Sequence, residues 1–255
     1  MPLPSCSRLL VSRLSNLAIK RIEQAIALAK EQVHSFSLAV ALLNSGGLYH
    51  FCGNWQVAQR NGETAIALCA EQGFTNFLGQ ATVYRGAALA DQGRGEEGVI
   101  LIREGRAACR ATGAVLFETL YLSYQAEACV TAMRVEEGLG ALEEAFAIAQ
   151  RTGERLQEAE LYRLKGELML VRKTERLASS VKQEVEGYFR KALEISRRQQ
   201  AKSLELRAVM SLSRLLQDEK KDQARQILAE IYGWFSEGFD TKDLKDAKAL
   251  LEQLS

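Results

Sequence analysis

Apolar residues along this chain recur at helical spacing, and the recurrence is broken at regular intervals. Between 135 and 151, Leu139, Leu142, Ala145, Phe146 and Ala149 fall on one helix face while Glu136, Glu137, Glu143 and Arg151 take the other. Runs of the same kind predict one set of helices, A, over about 38–52, 77–92, 117–132, 157–172 and 203–217. They predict a second set, B, over about 55–71, 95–111, 135–151, 184–198 and 221–236. No period-two alternation of strand type interrupts them, so the pattern predicts an all-α fold of antiparallel helix pairs.

The interruptions keep a ruler. Glu71-Gln72-Gly73, Thr112-Gly113 and Thr152-Gly153 follow one another at 40-residue steps, and each glycine ends an apolar helical run. Laid in rows of 40, Gly46, Gly86, Ala126 and Gly166 share a column, as do Gly53 and Gly93. Ala58, Gly98 and Gly138 make a third column, and Ala25, Ala65, Gly105 and Ala145 a fourth. A glycine inside a helix costs about 1 kcal/mol relative to alanine. Small residues repeated at one phase therefore mean that close packing sets the residue: the Gly46 column of helix A and the Ala58 column of helix B would let the two helices of a pair cross closely.

The ruler slips once. Ala192 stands where a strict count from Ala145 reaches 185, so seven residues are inserted, and the polar stretch Lys173–Gln183 is the expected loop. The last row has Asp218-Glu219-Lys220-Lys221 in place of its turn glycine. After Gly238, Leu244, Ala247, Leu251 and Leu254 lie on one face of a final helix opposite Lys242, Lys245, Lys248 and Glu252, as expected of a helix covering an open apolar end. Residues 17–33 supply a B-type helix whose A partner is poor. The expected organisation is a single repeat domain over 1–255, divided as 1–35 (partial), 36–74, 75–114, 115–154, 155–201 and 202–240, with a capping helix over 241–255.

Composition narrows the function. Apolar residues are 47% and charged residues 25%, which excludes a disordered chain, and the net charge of +1 supplies no field for nucleic acid or an anionic membrane. No apolar run reaches the ~18–20 residues that span a bilayer. Proline occurs only at Pro2 and Pro4, so helix can run almost throughout. The five cysteines form no CxxC pair and suit a reducing compartment, and the chain is expected to be cytoplasmic.

Small residues at the eighth, twentieth and twenty-seventh positions, with glycine near the fifteenth, resemble the tetratricopeptide repeat over 38–153. The unit here is 40 residues rather than 34, and the usual tryptophan of helix A and closing proline are missing. Gly153-Glu154-Arg155, the run Glu158 to Leu168 (EAELYRLKGEL), Ala229 to Phe235 (AEIYGWF) and Gly238-Phe239-Asp240-Thr241 are similar to the C-terminal repeat region of bacterial proteins that join an adenylate/guanylate cyclase domain to an AAA-type ATPase. The resemblance, over about 55–255, implies a right-handed superhelical solenoid in a bacterial signalling setting, standing alone or excised from a larger protein. It implies no cyclase or ATPase activity here, and no G-x-x-x-x-G-K-[ST] occurs.

In such a stack the A helices line the concave face. The exposed phase of helix A gives Asn44, His50, Gln80, Tyr84, Tyr124, Glu127, Arg163, Arg207 and Arg214 as candidate partner-binding residues. Tyr84 and Tyr124, 40 apart, should project from neighbouring helices into one groove, where tyrosine gives contact area at low entropic cost. Arg163, Arg207 and Arg214 could hold a carboxylate or phosphate or form a solvated charged face. Asn44 is the one asparagine at a matching phase, so the Lys/Asn clamp that grips peptide C-termini in some tetratricopeptide domains is absent. His34 and His50 are the only histidines; His50 and Cys52, two apart, face different ways on a helix, and no metal set converges. Glu96/Glu97 and Glu136/Glu137 sit in first turns of B helices, where the macrodipole favours acids.

The expectation is a non-enzymatic protein–protein interaction module, without cofactor or metal, that binds a peptide or partner helix in the concave groove. The alternative is a small-molecule-sensing or intramolecular regulatory repeat domain. The poorly partnered N-terminal helix leaves a route to homo-oligomerisation.

Overall fold

The computed structural model describes residues 15–172 and 179–255. Twelve helices occur among them: α1 (Ser15–Glu31), α2 (Ser35–Phe51), α3 (Trp55–Gln72), α4 (Thr75–Asp91), α5 (Gly95–Ala111), α6 (Glu118–Thr131), α7 (Val135–Thr152), α8 (Glu158–Val171), α9 (Ser179–Arg198), α10 (Lys202–Leu216), α11 (Lys221–Tyr232) and α12 (Lys242–Gln253). The described residues contain no strand. The A helices are α2, α4, α6, α8 and α10; the B helices are α3, α5, α7, α9 and α11.

Two boundaries differ from expectation. Ser179–Gln183, read as loop, is the first turn of α9, where Lys182 Nζ lies 2.7 Å from a Glu219 carboxylate oxygen. The rest of the expected insertion, 173–178, lies outside the described residues. The last B helix stops at Tyr232 rather than 236, because Trp234 and Phe235 turn back on the core and pack edge to face at 5.3 Å.

The helices fall into two compact units, Asn16–Ala141 and Leu142–Ser255, whose boundary lies within α7. In the N-terminal unit each A helix packs on its own B helix and on the next A helix, so α2, α4 and α6 lie side by side. The small columns make this possible. A Cβ on Gly86 would meet Ile102 Cγ1 at 2.8 Å and Gly98 O at 2.9 Å, and one on Gly105 would meet Gly79 O at 2.5 Å. Helices α4 and α5 thus touch backbone to backbone at two points. Gly46 does not share that cause. Its nearest neighbour is Tyr84 Cβ at 3.5 Å, on the next A helix, so the expectation that the whole column serves the crossing within a pair is corrected there.

Helix α1 has more of a partner than expected. Ile19 and Ile22 pack against Tyr49, Ala58 and Ala88 with Trp55 and Val57, and Tyr49 Oη donates to Glu23 Oε1 at 2.8 Å.

In the C-terminal unit α10 is the central element, buried along Leu206, Val209, Leu212 and Leu216. The capping helix is present: α12 packs on α10 and α11 and buries Leu244, Ala247, Leu250 and Leu254 in their core.

Candidate functional site

The nine candidate residues divide between the two units, and each group is described within its own.

In the N-terminal unit the 40-residue phase does place Tyr84 of α4 beside Tyr124 of α6, with ring centroids 6.2 Å apart at 60°. The two are unequally available. Tyr84 is buried, packed against Gly46 and Gly47 and edge to face with Tyr121, and burial pushes its hydroxyl up to about 12, with Cys109 adding to the rise. Tyr124 is half-buried, and its ring meets the His50 ring at 4.6 Å and 75°. His50 itself is buried at the end of α2, with Nδ1 2.8 Å from Asp91 Oδ2 at the end of α4. One cluster therefore ties α2, α4 and α6 together. Around it Asn44 is exposed, donating to Val40 O at 2.8 Å, and Gln80 and Glu127 are half-buried. What this face offers a partner is the accessible part of Tyr124 with Asn44 and Gln80.

In the C-terminal unit the arginines face acids. Glu160 of α8, buried, receives Arg163 at 2.6 and 3.0 Å and lies 3.5 Å from Arg207 Nη1 of α10. Arg207 Nε donates to Asp243 Oδ2 of α12 at 2.7 Å, and the Ser211 hydroxyl donates to Glu167 at 2.5 Å. Burial alone would raise the Glu160 carboxyl; Arg163 and Arg207 outweigh it and hold it at about 2. The positive charge of Arg163 and Arg207 is thus met by internal acids across three A-phase helices, which leaves them poor anion receivers. Arg214 is exposed on the same helix as Arg207.

A third polar network escaped the sequence reading. Arg106 of α5 is buried and donates to Gln125 Oε1 at 2.5 Å and to Glu118 Oε2 at 3.2 Å, both on α6. Gln125 donates on to Glu137 of α7 at 3.3 Å, and Glu137 also meets Arg103 and Arg134. Beside it the Tyr121 hydroxyl is buried with no hydrogen-bond partner, and burial raises it. Sequence spacing could show Glu160, Arg163 and Glu167 as i, i+3 and i, i+4 neighbours. It carries no signal for partners 12 to 40 residues away.

Among the described residues no set of three His, Cys, Asp or Glu gathers as metal ligands, and no helix is long and apolar enough to cross a membrane. Cys109 and Cys129 are buried; burial pushes their thiols up to about 11 and about 12, respectively, with Glu118 and Glu137 adding to the rise.

No family model and no curated protein matches the chain. Solved structures do. A kinesin light chain candidate from Podosopora anserina, built of nearly identical TPR-like repeats, superposes in a glutamine-to-methionine variant with a TM-score of 0.50 at 16% identity, over 76% of this chain and 92% of that one. The unsubstituted protein gives 0.49 at the same identity and coverage. The fold is therefore that of a TPR-like helical repeat protein.

Proposed function

We infer that this chain is a non-catalytic protein-interaction scaffold, acting as one repeat array that receives a peptide or helix from a protein partner on its A-helix face. The observation that carries the reading is the side-by-side packing of α2, α4 and α6, with Asn44, Tyr84 and Tyr124 at one phase. A track crossing three parallel helices suits an elongated ligand, and the half-buried tyrosine supplies a rigid anchor of the kind enriched at binding hot spots. The sequence resemblance supports a bacterial signalling setting and a cytoplasmic location.

The test is capture from native lysate by wild type and by Tyr124→Ala and Gln80→Lys variants, with helicity checked by circular dichroism. A partner retained by wild type and lost by folded variants is the expected result. A captured set indifferent to both substitutions overturns the reading.

A further inference from the structure

The three turns that lead from a B helix into an A helix in the N-terminal unit form an edge of unusual composition. They read Val33-His34-Ser35-Phe36-Ser37-Leu38, Gly73-Phe74-Thr75-Asn76-Phe77-Leu78 and Gly113-Ala114-Val115-Leu116-Phe117, with no Asp, Glu, Lys or Arg among them. The corresponding turn of the C-terminal unit, 153–158, carries Glu154, Arg155 and Glu158. Apolar side chains on this edge stand in solvent: Val33 is 87% exposed, Val115 76%, Leu116 70%, Phe36 51% and Phe117 41%. They are gathered rather than scattered. Phe36 meets Phe74 at 5.7 Å and Phe77 at 5.3 Å, and α2, α4 and α6 begin at the same end and pack in order.

A second observation points the same way. Val33 and Phe117 hold left-handed backbone, with φ of 51° and 66°, although neither is glycine. A left-handed conformation costs a side-chain-bearing residue about 1–2 kcal/mol, and a β-branched one is a marked outlier. At Val33 the side chain recovers little of this inside the molecule. The next two turns place Gly73 and Gly113 at the corresponding step. Local rules broken without internal return mark places where something outside the fold uses the residue.

We propose that this edge is the face through which two copies of the chain associate. An isologous interface must be complementary to itself, and an uncharged apolar strip meets its own copy without like-charge repulsion. The exposed parts of the five side chains amount to roughly 500 Å², the size at which a surface patch marks an interaction site. A standard interface takes about 800 Å² from each partner, of which homodimers make about 65% apolar, so the strip matches the apolar core of one dimer contact. The contact lies on the turns rather than on the N-terminal helix, whose Ile19 and Ile22 are already engaged.

Sedimentation velocity of the full chain over a dilution series into high micromolar concentration tests this. Wild type is expected to pass from monomer to dimer. Leu116→Glu and Val115→Glu, at positions too exposed to affect folding, weaken association roughly tenfold or more. Met133→Glu, equally exposed but on the A-to-B turns, leaves it unchanged. A wild type that stays monomeric throughout overturns the proposal. So does a dimer that survives Leu116→Glu, or one that Met133→Glu dissolves as readily.

Discussion

At the residue scale the turns are governed by backbone handedness. Gly73, Gly113 and Gly153 adopt φ of 71°, 78° and 75° at the B-to-A turns, which explains the ruler: each closes a helix in the left-handed conformation only glycine takes freely. Gln200, displaced from Gly153 by one repeat plus the seven-residue insertion, adopts φ of 57°, and Met133, in the place of Gly53 and Gly93, adopts 58°. The fold imposes the turn whether or not the residue suits it. Met133→Gly and Gln200→Gly are each expected to raise stability by about 0.5–1 kcal/mol in urea unfolding. Gly73→Ala should lose about 1 kcal/mol, although nothing lies within 4 Å of its missing Cβ. The glycine turns were legible from spacing. The two occupied by other residues were not, since local composition there says nothing of handedness.

At the element scale one column holds two different physical situations. Gly86 lies against Gly98 O and Ile102, where backbone cannot retreat, whereas Gly46 lies in ordinary contact with the Tyr84 ring. Gly86→Ala is therefore expected to cost about 1–3 kcal/mol by forcing α4 and α5 apart. Gly46→Ala should be neutral or stabilise by up to about 1 kcal/mol through helix propensity alone. Thermal or denaturant unfolding of the pair separates them, and equal losses would show that both columns serve the same crossing. Helix count, order and phase could be read from periodicity because an amphipathic face repeats within one element. The start of α9 at Ser179 could not, because its first turn is polar and is secured by Lys182 reaching Glu219 on the turn after α10.

At the scale of the whole molecule the buried charges decide the response to acid. Glu160 lies below the ~4.3 of an unfolded glutamate, at about 2, so its contribution is complete above the unfolded value and is lost as pH falls towards the folded one. The protein is expected to weaken progressively from about pH 5 to pH 2. Glu160→Gln should lose about 2–3 kcal/mol at neutral pH, because Arg163 and Arg207 keep their buried positions without that carboxylate. The deficit should shrink towards pH 2. Urea titrations of wild type and variant across this range check it, and a deficit independent of pH would show that Glu160 acts through packing rather than charge. Of the candidate site, the Tyr84–Tyr124 neighbourhood followed from the repeat. The conversion of Arg163 and Arg207 from possible anion ligands into internal ion pairs did not, since Asp243 reaches Arg207 from a helix outside the repeat count.

What the chain determines by itself is whatever repeats locally: twelve helices less the finer boundaries, their pairing, the glycine stops and the capping helix, all of which rest on 3.6-residue periodicity and on backbone freedom at single positions. Only the tertiary structure decided which phase-equivalent residues remain available. Tyr84 fills the space beside Gly46 while Tyr124 stays half open, His50 turns to Asp91, and the apolar side chains of the B-to-A turns collect on one edge. Equivalent positions share a direction, but their accessibility depends on what the neighbouring helix places against them, and that neighbour is chosen by packing between helices rather than by spacing along one.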